Sequence, residues 1–149
     1  MNKYMQMAIE EARKGIQNGD GGPFGAVIVK NDKVIGIGHN RVILKKDPTR
    51  HGEMEAIQDA CKNLNDFDLK GCEIYTTGYP CPMCMGAIKW ANISKIYYGC
   101  NVKDTDKIGF RDEVFYNEKH SKDFINEVDR EECLKLYEEY TLIENKTHY

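Results

Sequence analysis

The chain has 149 residues, enough for about one domain whose core needs no disulfide to close it. Hydrophobic residues make up 41% and charged residues 30%, the balance of an ordinary globular protein, and the net charge of −3 excludes a global electrostatic pull on nucleic acid. No run of about 18 apolar residues occurs, which excludes a membrane-spanning helix. Met5, Ala8, Ile9, Ala12 and Ile16 recur at helical spacing with charges between them, and predict an amphipathic helix that stops at the breaker cluster Asn18 to Pro23. Residues 24–30 and 33–39 are apolar β-type runs around the polar pair Asn31-Asp32, the pattern of a hairpin.

A polar loop is expected from Arg41 to Thr49, with Asp47-Pro48-Thr49 opening a helix whose face carries Met54, Ile57, Cys61 and Leu64. Residues 72–77 form a strand, Gly78-Tyr79-Pro80 turns the chain, residues 82–92 form a helix, and residues 95–100 form another strand. Strand, helix, strand implies a parallel pair joined by a crossover. Residues 101–128 carry little periodicity. From Asp129 the pattern is helical again, with Cys133, Leu134, Tyr137, Tyr140 and Thr141 on one face and Asp129 and Glu132 spaced as an Asp-led capping box. No repeat or linker divides residues 1–149, which read as one domain. The expected fold class is α/β: a three-layer α/β/α sandwich with a mixed central sheet of about five strands.

The N-terminus mixes charges into its apolar residues, so no export signal is expected. Without one, the six cysteines read as thiols or metal ligands of a cytoplasmic protein rather than as disulfides. Cys61, Cys72, Cys100 and Cys133 lie on apolar faces or in β-type runs and are expected in the core. His39, His120 and His148 show no partner pattern.

The chemistry lies in His51-x-Glu53 followed by Pro80-Cys81-x-x-Cys84, the signature of zinc nucleobase deaminases. His51 would start one helix, and Cys81 and Cys84 another, where positive partial charge stabilises thiolates. Residues i and i+3 share a helix face, so both sulfurs can reach one ion. Three protein ligands leave a fourth position for water, as in catalytic zinc sites; mixed thiolate and imidazole ligation favours one Zn²⁺ per subunit. Glu53, close to the metal but free of it, is the expected proton carrier. Each residue alone has a blander reading: a redox cysteine pair, a helix-terminal histidine, a solvated carboxylate. A structural zinc-binding interaction module would recruit a fourth protein ligand and have no use for Glu53.

With these motifs the chain resembles the cytidine deaminase-like superfamily, and most closely the bacterial guanine deaminases of that fold. The resemblance runs through Gly21 to Val27, Asn40, Asp47-Pro48-Thr49-x-His51-x-Glu53, Pro80 to Cys84, Gly86-Ala87-Ile88, Trp90-Ala91 and, more weakly, Gly109-Phe110-x-Asp112 and Tyr149. It implies deamination of a free nucleobase, guanine to xanthine and ammonia. It also implies a homodimer whose C-terminal segment, about residues 129–149, is exchanged so that Tyr149 caps the neighbouring pocket. Asn40 and Asp112 would hydrogen-bond the base, and Phe24, Trp90 and Phe110 would cover its faces. The alternatives are a tRNA adenosine deaminase, which shares the zinc motif, and a cytosine or guanosine deaminase. Glu131, Glu132, Glu138 and Glu139 make the last helix acidic, against a polynucleotide surface. Two residues depart from the family form: Gly52 stands where alanine is common, and Tyr79 where glutamate often precedes Pro-Cys.

Overall fold

The computed structural model describes residues 1–121 and 123–149. They divide into two compact units, Met1–Tyr116 and Asn117–Tyr149.

The first unit opens with α1 (Lys3–Asn18). The Asn2 side chain accepts from the N–H groups of Tyr4 and Met5, and Gly19, at φ 72°, closes the other end in the left-handed conformation. β1 (Gly25–Lys30) and β2 (Lys33–His39) form the expected antiparallel hairpin. Asn31 and Asp32 sit at φ 49° and 61°, the positive pair whose twist matches the strands they join. β3 (Glu73–Gly78) pairs antiparallel with β1 and parallel with β4 (Lys95–Cys100), and the intervening α4 (Pro82–Trp90) is the expected crossover.

The sheet is mixed, in the order β2-β1-β3-β4, and among the described residues it has four strands rather than the five expected. Beyond β4 the chain turns into α5 (Val102–Lys107), because the Asn101 side chain and Asp104 close a capping box there; α6 (Asp112–Asn117) follows. A second correction concerns the helix start expected at residues 47–49. The Asp47 carboxylate instead accepts from the N–H and hydroxyl of Thr49, at 2.9 and 2.6 Å, and closes a local turn. A short α2 (Val42–Lys45) precedes that turn, and α3 (Gly52–Leu64) begins after it with His51 as its N-cap.

Alternate residues of the strands enter two different cores. Ala26 and Ile28 of β1 and Ile74 of β3 pack with Ala56 and Ala60 of α3 and Ile88 of α4. Val27 and Val29 of β1 and Tyr75 of β3 pack with Tyr4 and Ala8 of α1. Period-two alternation on the strands therefore meets helical periodicity from separate helices. Each fully buried isoleucine contributes about 1.5–3 kcal/mol. Cys72 lies inside the first core and Cys61 packs against it, as expected, whereas Cys100 is exposed because β4 is exposed along most of its length.

In the second unit α7 (Arg130–Thr141) begins at Asp129, whose φ of 51° is not the extended geometry a side-chain cap needs. The expected capping box is absent, Glu132 pairing with Lys135 at 2.6 Å instead. Cys133, expected in the core, is exposed. No helix of the described residues is long and apolar enough to cross a membrane.

Candidate active site

One end of the sheet gathers the chemistry. β1 starts there, and β2, β3 and β4 end there, since Gly25 pairs with His39 and Gly78 with Cys100. The chain leaving β3 reaches Cys81, the N-cap of α4, and α3 presents His51, its own N-cap, to the same point. The oriented N–H groups of two helix starts thus face the two sulfurs and the imidazole, as the sequence predicts.

His51 Nδ1 lies 3.5 Å from Cys81 Sγ and 3.6 Å from Cys84 Sγ, and the three donor atoms fall within 4.8 Å of one another. Zinc bonds of about 2.0–2.3 Å at tetrahedral angles set donors about 3.5 Å apart, so the donor set and its spacing fit Zn²⁺. Among the described residues this is the only such group of three, and it includes no fourth protein ligand. Glu53, in the first turn of α3, is buried beside it. Its Oε1 accepts from the Thr76 hydroxyl at 2.9 Å, and its Oε2 is 3.1 Å from Cys84 Sγ. Thr76, a strand residue with no sequence signal, is the positioning group that the sequence did not reveal.

Without metal, the hydrogen bond from Cys84, helped by His51, brings the Cys81 thiol down to about 4, and the same hydrogen bond, then burial and the neighbouring Glu53, push Cys84 up. The Cys81 sulfur in turn raises His51. An acid lowered to about 4 is a thiolate at about pH 6, where Cys84 is still a thiol. Iodoacetamide at that pH is expected to label Cys81 of the zinc-free chain first, read by peptide mass spectrometry; preferential labelling of Cys84 would contradict this.

A cavity of about 400 Å³ opens over the cluster, within the ordinary range for small-molecule sites. His51, Glu53 and Cys81 form part of its lining, and Asn40, Asp112, Phe24 and Phe110 join them. Asn40 Oδ1 accepts from the Val42 N–H at 3.0 Å, which leaves the amide NH₂ for the cavity. Burial, and then the negative Cys81, raise the Asp112 carboxyl. The Phe24 and Phe110 rings meet edge to face, centroids 4.8 Å apart. Arg111 also lines the cavity, and nothing in its non-periodic segment had marked it. Trp90 does not line it: α4 carries this residue about 13.5 Å along its axis from Cys81, and it is 68% exposed. Tyr149 belongs to the C-terminal unit and is 80% exposed.

The two departures from the family form have structural correlates. Tyr79 lines the cavity and packs edge-on against Tyr98 and Tyr116, centroids 5.0 and 5.9 Å away. At Gly52 a Cβ would lie 2.8 Å from the Phe24 carbonyl oxygen, which accepts from the Asn40 N–H at 2.9 Å. Gly52→Ala is therefore expected to destabilise the chain. The overpacking cost of about 1–3 kcal/mol exceeds the helix-propensity gain of at most about 1 kcal/mol. Urea unfolding measures it, and a variant more stable than the parent would refute the close approach.

A mixed sheet, two helix starts converging on one imidazole and two thiols, and a buried carboxylate beside them define a zinc-dependent deaminase fold of the cytidine deaminase type. The chain belongs to the cytidine and deoxycytidylate deaminase family, whose zinc-binding region matches residues 1–100. It is 44% identical over 115 residues to the guanine deaminase of Bacillus subtilis, covering 77% of this chain and 74% of that one. It is 35% identical over 134 residues to a tRNA-specific adenosine deaminase of Buchnera aphidicola, covering 89% and 88%. The X-ray structure of the Bacillus subtilis guanine deaminase superimposes with a TM-score of 0.93 at 38% identity, over 100% of this chain and 99% of that one.

Proposed function

We propose that this chain is a zinc-dependent hydrolytic deaminase of a free nucleobase, guanine, yielding xanthine and ammonia in the catabolism of purines. The observation that carries this reading is the buried Glu53 carboxylate beside the His51, Cys81 and Cys84 donors, beneath a cavity lined also by Asn40 and Asp112. His51, Cys81 and Cys84 would hold one Zn²⁺ per subunit. Bound there, zinc supplies Lewis acidity that lowers the pKa of a water to near neutrality.

Glu53 is placed to take one proton from the attacking water and pass it to the ring nitrogen next to the amino-bearing carbon, and then to carry the second water proton to the departing amine. The bond from water oxygen to that carbon forms first; the bond to the amine nitrogen then breaks, so that ammonia leaves and the oxygen stays as the xanthine carbonyl. Asp112 accepts from the ring N–H and exocyclic amine of guanine, Asn40 donates to a purine acceptor, and Phe24 and Phe110 exclude water from the faces of the base.

The correspondence with a guanine deaminase along the whole chain supports guanine as the substrate. The family resemblance adds a homodimer in which residues 129–149 are exchanged and Tyr149 caps the neighbouring cavity. The exposed apolar face of Leu136, Tyr137 and Tyr140 on α7 supports the same arrangement. The two cores on alternate residues of β1 support the three-layer fold. Six free thiols support a cytoplasmic setting.

The relation to a tRNA-specific adenosine deaminase over 89% of the chain favours a second substrate reading, adenosine in tRNA. Ammonia release by the zinc-loaded protein from guanine, guanosine, cytosine, cytidine, adenine and a tRNA anticodon stem-loop decides between them. Turnover of guanine above all others is expected. Preference for the stem-loop would overturn the guanine assignment, and silence on every substrate with zinc bound would overturn the deaminase reading itself.

A further inference from the structure

His39 is 5% exposed and lies between two carboxylates. Its Nδ1 is 2.7 Å from Glu11 Oε1 on α1, and its Nε2 is 2.7 Å from Asp20 Oδ2. Both ring nitrogens are thus engaged, and the ring is fixed at each end by an acid from a different segment of the chain.

Other charges face this clasp. Lys14 of α1 pairs with Glu11 at 3.2 Å. Arg41 runs alongside, its Nε–H donating to His39 Nε2 at 3.5 Å, and turns its guanidinium to Glu55 of α3 at 3.6 Å. Asp59 and Lys62 of α3 share the adjoining groove with Glu11 and Arg41. From α1, Gly15 makes room for the ring: a Cβ there would stand 2.6 Å from His39 Cδ2.

The clasp joins two segments that wall the cavity. Asp20 precedes Gly21 and Gly22, and His39 precedes Asn40, all three of them lining residues. The Asp20 carbonyl accepts from the N–H groups of Ile43 and Leu44 at 3.0 and 3.1 Å, and its own N–H donates to the Gly15 carbonyl at 2.9 Å. A Cβ on Gly21 would fall 2.0 Å from Asn40 Oδ1, so the two walls are in close contact.

We propose that His39 is a positioning residue that, by bridging Glu11 and Asp20, locks residues 20–24 to residues 39–44 and thereby sets the Asn40 amide toward the substrate. The proposal rests on the reading of Asn40 as a substrate donor. It does not touch the zinc chemistry, so its loss weakens binding more than turnover.

The test uses the zinc-loaded protein, its His39→Gln variant and, should that not fold, Asp20→Asn. Zinc content serves as the control for folding in each. Ring-nitrogen NMR of the parent is expected to show both His39 nitrogens engaged in hydrogen bonds. In the variants the Ile43 and Leu44 amides, which hydrogen-bond the Asp20 carbonyl, are expected to exchange about tenfold faster. KM for guanine is expected to rise about tenfold, with kcat within about threefold of the parent. A His39 ring nitrogen free of hydrogen bonding, unchanged exchange at those two amides, or a fall in kcat with KM unchanged would each overturn the proposal. A parent protein inert toward guanine would sink the substrate reading instead, and the NMR and exchange results would still decide the clasp.

Discussion

Glu53→Gln is expected to keep one zinc per subunit and to lose roughly 10²–10⁴-fold in kcat. The substitution preserves size, and its amide oxygen can still accept from the Thr76 hydroxyl that holds Oε1 of the native carboxylate at 2.9 Å. What it removes is the proton-accepting oxygen 3.1 Å from Cys84 Sγ, on the side of the metal donors. A carboxylate so deeply buried is costly unless it is hydrogen-bonded, and here the Thr76 hydroxyl supplies that bond from the adjacent strand. Steady-state ammonia release with metal analysis on the same sample measures both quantities. Turnover within threefold of the parent would show that the proton travels by another group. Loss of zinc along with activity would instead make Glu53 part of the metal site.

Cys84→Ala is expected to release zinc and abolish activity together. Removing even an outer partner of a metal ligand typically lowers affinity about 10–100-fold, and removing a ligand itself lowers it further. In this fold no replacement stands by: among the described residues His51, Cys81 and Cys84 form the one group of three donors, and Glu53 is already engaged by Thr76. Cys100→Ala and Cys133→Ala, at exposed thiols that belong to no metal-donor group of the described residues, are the matched controls and should retain full zinc. Equilibrium dialysis against a zinc chelator ranks the four proteins. A Cys84→Ala protein still binding one zinc tightly would mean that the ion sits elsewhere.

The metal site was legible because its information is local. Two cysteines three residues apart at a helix start must share a face, and a histidine at another helix start needs only a sheet to bring it near. The strands and crossover were equally legible, since alternation and helical periodicity carry directly into burial. Residues 101–128 were not, because their course depends on a cap at Asn101 and Asp104 that competes with extension of the chain. The capping box read at Asp129 failed for a related reason: spacing cannot report a backbone φ of 51°.

By itself, then, the sequence determined the zinc-binding trio, the carboxylate beside it and the hairpin and crossover that bring them together, because each rests on spacings within one or two elements. Tertiary structure alone decided the rest. It placed Trp90 outside the cavity and Arg111 in its wall, set Thr76 against Glu53, brought Glu11, Asp20 and His39 into one clasp, and put the Phe24 carbonyl where alanine at position 52 would collide with it. These are contacts between residues distant along the chain, made where packed elements leave room for them, and no local pattern of hydropathy or charge encodes that space.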